Sequence, residues 1–256
     1  MKFLVLTRNG SVTMEILIII ALVVIVLVIY GVYSSSQKEK MLNEVKERRQ
    51  KYVESIGPNA RVIVNNGIHF FFKDDVQKIF GIDESGKTYD FENLTSISIF
   101  KDAIHFYHMK AASLCVGKDV VHPEGTFPLT STSLGLISSE MMPVLRNNLK
   151  RELDVHAIIP TYQYEHEGII WGCDIESRMF YMTYGSIQIH PFSDLKRFTV
   201  EDMRSNSLYS GNYMMSLYIK SDFFPDDDVY ELSFDSMDST FNNLLSMFKE
   251  IRKRRY

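Results

Sequence analysis

Residues 16–33 read ILIIIALVVIVLVIYGVY, eighteen positions without a charged side chain. At 1.5 Å per residue such a run makes about 27 Å of helix, close to the hydrocarbon thickness of a bilayer. A helix that is apolar on every side has no polar face to turn to water, so the pattern predicts a transmembrane helix and not the core helix of a soluble domain. A cleaved signal peptide is the competing reading, because Lys2 and Arg8 precede the run. Its apolar core is longer than the roughly 7 to 15 residues usual for such peptides, and only Val32-Tyr33-Ser34 offers a weak cleavage site. A retained anchor is therefore expected.

The charges beside the span set its direction. Lys2 and Arg8 stand before it, whereas Lys38, Lys40, Lys46, Arg48, Arg49 and Lys51 follow it. This imbalance favours a cytoplasmic C-terminal region. The net charge of −4 gives no general reason to expect a nucleic-acid partner. Two cysteines, Cys115 and Cys173, are too few for a disulfide framework and read as small buried hydrophobes in a reducing compartment, with a single bridge left open.

Residues 37–54 are rich in helix formers and hold neither Gly nor Pro, so the membrane helix is expected to continue as a charged stalk over residues 34–57, solvated along most of its length. Gly57-Pro58 stops it. The expected division is an N-terminal flank at 1–15, the transmembrane helix at 16–33, the stalk, and two sheet-and-helix repeats at 58–156 and 157–256. The repeats are read from two matching passages. Ile79-Phe80-Gly81-Ile82-Asp83 with Lys87 and Tyr89 matches Ile170-Trp171-Gly172-Cys173-Asp174 with Arg178 and Phe180, at an offset of 91. Phe91-Glu92-Asn93-Leu94 with Ile97 matches Phe192-Ser193-Asp194-Leu195 with Phe198 at an offset of 101, which implies a hairpin about ten residues longer in the second copy.

Each copy reads as strands first, with turns at Glu84-Ser85-Gly86 and Glu176-Ser177 and the shared Asp as a turn former. The second copy closes with a helix whose apolar face is Phe241, Leu244, Leu245, Phe248 and Ile251, capped by Asp238 or Ser239. The first is expected to close likewise, with Ser139 as cap, Pro143 in the first turn, and Met142, Leu145, Leu149 and Leu153 as the stripe. The fold class is thus α+β: a transmembrane helix and stalk, then two antiparallel-sheet domains each closed by a C-terminal helix.

This order of anchor, charged stalk, strand with Ile-Asp-x-x-x-Lys, and aromatic-x-Asp/Asn-Leu before another strand resembles uncharacterised bacterial single-pass membrane proteins with pleckstrin-homology-like domains. The resemblance implies binding or scaffolding, not catalysis. No catalytic or metal site and no cofactor is expected. His105 and His108 lie three apart in a strand and point to opposite faces. Asp226-Asp227-Asp228 lacks the glycine and alternation of a calcium loop and reads as a hairpin turn, and Ser85-Gly86-Lys87 and Gly117-Lys118 lack a phosphate-binding frame. The partners expected are membrane lipids through residues 16–33 and a protein partner or further copies of the chain.

Two features carry functional hypotheses. Arg252, Lys253, Arg254 and Arg255 could touch a membrane surface or a partner, while helix-dipole complementarity explains them with less machinery. Gly10, Ser11 and Glu15, behind a short basic leader and before the apolar run, resemble type IV prepilins and pseudopilins. That alternative implies cleavage after Gly10, Ser11 as the new N-terminus and Glu15 as an assembly residue. It sets the basic stalk outside the membrane, against the charge rule.

Overall fold

In the computed structural model the described residues are 5–82, 87–99, 102–109, 111–117, 121–122, 125–126, 129–205, 211–221 and 226–255. The chain opens with one helix, α1 (Val5–Ile56), of 52 residues. Span and stalk are one rod, because nothing between them breaks helical geometry before Gly57-Pro58.

Two series of like elements follow. The first has β1 (Ala60–Asn65), β2 (Phe70–Asp74), β3 (Ile79–Gly81) and β4 (Tyr89–Asp90) in one antiparallel sheet, a 3-10 turn (Phe91–Asn93), then β5 (Leu94–Ile99), β6 (Ala103–His108) and β7 (Ala111–Gly117) in a second. A short hairpin, β8 (Val121–His122) and β9 (Gly125–Thr126), leads to α2 (Ser131–Val155). The second series has β10 (Tyr162–His166), β11 (Ile169–Asp174), β12 (Met179–Tyr184) and β13 (Ser186–Pro191), a 3-10 turn (Phe192–Asp194), and then β14 (Leu195–Asp202), β15 (Tyr213–Ile219) and β16 (Asp228–Phe234). It ends in α3 (Ser239–Lys253).

Backbone hydrogen bonds fix the correspondence, and they correct the first sequence match. Asp74 Oδ1 accepts the amides of Val76 and Gln77, and Asp174 Oδ1 accepts those of Glu176 and Ser177. The tight turn after each aspartate ends in a left-handed residue, Lys78 at φ 58° and Arg178 at φ 56°. Phe91 N–H then bonds the Lys78 carbonyl, and Phe192 N–H bonds that of Arg178. Asp74, not Asp83, is therefore the counterpart of Asp174, 100 positions away, and the two hairpins have equal length. The offset of 91 matched β3 to β11. Asp83, Glu84, Ser85 and Gly86 lie outside the described residues.

The first closing helix also differs from expectation. α2 begins eight residues before Ser139, and Thr130 caps it by accepting the Ser133 amide at 3.2 Å. Pro143 thus sits in the helix interior, where a missing donor and ring clash cost about 3 kcal/mol. Burial of Met141, Met142, Val144 and Leu145 on either side of it offsets that cost. α3 is capped by Asp238, which accepts the Phe241 amide at 2.9 Å, and it buries Phe241, Leu244, Phe248 and Ile251 as the spacing predicts.

The two series share buried surface. Alternate residues of β11 and β12 face opposite ways, and both faces are buried. Trp171, Cys173, Phe180 and Met182 join the core under α3, whereas Ile170 and Tyr181 join the core that holds Phe71, Phe106 and Leu145. Across this seam Ile99 N–H bonds the Glu167 carbonyl at 2.8 Å, the Thr95 hydroxyl reaches Gly185 O at 3.3 Å, and Ser96 bonds Thr183 O. The first sheet of the second series is consequently a central layer of the molecule.

Candidate functional site

Two surfaces of the body combine exposure with specific chemistry: the apolar rod with its seat on the first sheet, and the basic end of α3. From Ile20 to Tyr33 the rod projects clear of the body with every apolar side chain exposed, and none of its most apolar window is buried. It is the one helix among the described residues long and apolar enough to cross a membrane. Gly10, Ser11 and Glu15 fall in the first turns of α1, and their side chains lie outside the described residues.

Below the apolar stretch α1 is seated, not solvated as expected. Val53 is fully buried and Arg49 nearly so, and with Tyr52 and Ile56 they cover Phe70 and Phe72 on the outer face of the first sheet. Tyr52 meets the Phe72 ring edge-on at 5.8 Å, and the Arg49 guanidinium lies 5.2 Å from the Phe70 centroid. The contacts run in order along the helix. A Cβ on Gly67, in the β1–β2 turn, would strike Leu42; the Lys46 carbonyl accepts from Asn65 at 3.0 Å; and the Ile56 carbonyl accepts from Gln77, in the β2–β3 turn, at 3.1 Å. So α1 lies along β1, with the β2–β3 turn beside its C-terminal end. The signal for this seat was present as Val45, Arg49, Tyr52, Val53 and Ile56 at helical spacing. Arg49 hid it, since an arginine in that stripe reads as a break in the apolar face.

α2 runs across the strands, from Arg61 on β1 to Phe91 beyond β4, whereas α1 lies along β1. Glu140 pairs with Arg61 on the β1 edge through Oε1 at 2.8 Å and with Lys73 Nζ at 3.2 Å, and Lys73 also meets Asp75 at 2.9 Å. About two turns further on, Asn148 donates to the carbonyls of Phe91 and Leu94 beyond β4, at 2.6 and 2.8 Å. The Arg61 hydrogen bond is the main influence holding the Glu140 carboxyl below its ordinary range, against burial. At Asp75 burial acts the other way, but the bonds from Lys73 and Arg61 outweigh it and the carboxyl is lowered too. A groove of about 440 Å³ beside Lys73, Phe91 and Arg151 is thereby lined by groups already committed to one another. A second groove of about 450 Å³ runs between α2 and the linker to β10, floored by Leu149, Leu153 and Ile158.

The structure splits the four basic residues at the C-terminus. Arg255 Nη1 donates to the carbonyls of Leu195 and Lys196 at 3.0 and 2.9 Å, and Arg254 pairs with Glu250. Arg252 and Lys253 project into solvent. The acidic run is brought to this same end, because Asp228 pairs with Ile219 while the Lys220 amide bonds Asp194 O beside Leu195. The local charge is therefore mixed. His105 and His108 occupy β6 facing opposite sides, with Cys115 Sγ 3.5 Å from His105 Nε2 and His108 Nε2 3.0 Å from the Asp90 carbonyl. Both cysteines are free thiols, and burial pushes that of Cys173 up to about 12. Lys118 lies outside the described residues. Among the described residues no three His, Cys, Asp or Glu side chains gather as a metal site. Comparison with family models, with curated proteins and with solved structures finds no match for this chain.

Proposed function

We propose that this is a non-enzymatic, single-pass protein of a bacterial inner membrane that presents a two-part cytoplasmic body to a protein partner. The observation that carries the reading is the single helix that is apolar and bare from Ile20 to Tyr33 and seated on a sheet from Arg49 to Ile56. Lipid is the solvent that suits the bare part. The seat sets the body at a fixed stand-off: at 1.5 Å per residue, Leu42 is about 14 Å and Ile56 about 35 Å from Tyr33 along the rod. Two antiparallel sheets closed by a helix, repeated, fit the plan of pleckstrin-homology-like domains, which supports a binding role by analogy.

Protease accessibility tests the placement. Digestion of the body in inverted vesicles and its protection in intact spheroplasts is expected from the six basic residues after the span. The opposite pattern overturns the cytoplasmic placement.

A second reading, a pilin-like or pseudopilin-like subunit cut after Gly10, is favoured by the same continuous helix with its C-terminal part packed on a sheet. It predicts digestion in spheroplasts and a mature chain starting at Ser11. Mass spectrometry of the membrane-extracted protein separates the two, since an intact N-terminus ends the pilin reading.

A further inference from the structure

We infer that the C-terminal half of α2 is a self-association face on which a second copy of this chain docks about a two-fold axis. The groove there has a buried apolar floor of Leu149, Leu153 and Ile158, and Ile159 stands on its rim 78% exposed. A buried floor beside a bare isoleucine provides the cleft and the plug that an isologous contact needs, because each copy contributes both.

The charges on the rim point to the same occupant. Lys150 and Asp154 are exposed on one ridge of the helix, and among the described residues neither has an ion-pair partner. Lysine four residues before an acid is the weaker order for pairing along a helix, and Asp154 faces the negative end of the α2 dipole, whose last turn holds no basic residue. An antiparallel pairing of two α2 helices, with the axis level with residue 152, sets Lys150 of each copy against Asp154 of the other. That arrangement gives both stranded charges a partner at once. Arg146, held by Glu165 at 2.6 Å, closes the groove end without competing for Asp154.

The orientation also permits it. Two copies anchored in one membrane can share a two-fold axis only along the membrane normal, so antiparallel helices at their contact must lie in the membrane plane. α2 runs across the β1–β4 strands from Arg61 to Phe91 whereas α1 lies along β1, which is the crossed arrangement this condition needs. The inference rests on the anchored reading for the direction of the axis alone.

Sedimentation velocity of the full-length protein in lipid nanodiscs or mild detergent tests it. The native chain is expected to be a dimer, and Ile159→Asp or Lys150→Asp should each weaken dimerisation at least tenfold. The double variant Lys150→Asp/Asp154→Lys restores opposite charges across the axis and should recover the dimer, which a merely misfolded single variant cannot do. A monomeric native chain, a dimer indifferent to Lys150→Asp, or a double variant that stays dissociated would each overturn the inference. Failure to pellet with membranes instead contradicts the anchor.

Discussion

Asp74 and Asp174 do the same local work in chemically different settings. Both accept two turn amides through Oδ1, but Asp174 Oδ2 also takes the Ile159 amide at 3.1 Å, whereas Asp74 Oδ2 is buried with no hydrogen-bond donor among the described residues. Burial alone would raise the Asp174 carboxyl; the Ile159, Ser177 and Glu176 donors outweigh it and hold the group below its ordinary range. Asp174→Ala is therefore expected to cost about 1 kcal/mol more than Asp74→Ala in denaturant unfolding of the full chain. Glu140 makes the complementary prediction at the α2 contact. Glu140→Gln leaves the buried Lys73 ammonium with a weaker partner and should cost about 2 kcal/mol. Because the folded-state pKa of Glu140 is depressed, its contribution is present above the ordinary glutamate pKa and is lost as pH falls through the folded value. The gap between wild type and variant should narrow on acidification below about pH 4. A gap that stays constant to pH 3 would show that the lost interaction is not ionic.

At the scale of elements, what the sequence made legible was whatever follows local rules. The strand after each Phe-x-Asn/Asp-Leu passage, the cap and apolar face of α3, and the helix stop before Pro58 are all set by residues within a few positions of one another. The start of α2 was not legible, because Thr130 offers a weaker signal than Pro143, which normally marks a first turn. The register of the repeat failed for a related reason: Gly81 and Gly172 look alike in sequence but lie on non-equivalent strands, β3 and β11. Gly172 has its own physical role. A Cβ there would stand 2.7 Å from the Tyr162 carbonyl and 2.3 Å from Cζ of Tyr181, inside a layer buried on both sides. Gly172→Ala is expected to destabilise the body by about 2 kcal/mol. Gly135→Ala, with nothing within 4 Å on an exposed helical surface, should leave stability unchanged or raise it by about 0.5 to 1 kcal/mol. Equal effects at the two glycines would contradict the double-sided burial of β11. The seat of α1 went unread because it depends on tertiary contact: Arg49 earns its place only once Phe70 is beside it.

At the scale of the whole molecule, each four-stranded sheet is covered on one face by the part of the chain that precedes it. α1 lies on Phe70 and Phe72, and the first series with α2 lies on Ile170 and Tyr181. The outward residues of α3, Asn242, Asn243, Ser246, Lys249 and Arg252, are polar and exposed, as suits a helix with one face in water. The apolar surface left bare among the described residues is most continuous in the rod, with a smaller patch at Val155 and Ile159. A buried charge at the seat should uncouple rod and body without unfolding either core: Val53→Asp is expected to open α1 to proteolysis between residues 34 and 57 while the unfolding midpoint of the body moves little. The central claim, one helix embedded in lipid and then locked onto a sheet, is tested most directly by a spin-label accessibility scan of positions 20 to 56 in nanodiscs. The account predicts oxygen-accessible, water-protected labels as far as Tyr33, followed by water-accessible positions interrupted by protected ones at Arg49, Tyr52, Val53 and Ile56. Uniform water accessibility from 20 to 33, or the absence of that protected stripe below it, would contradict it.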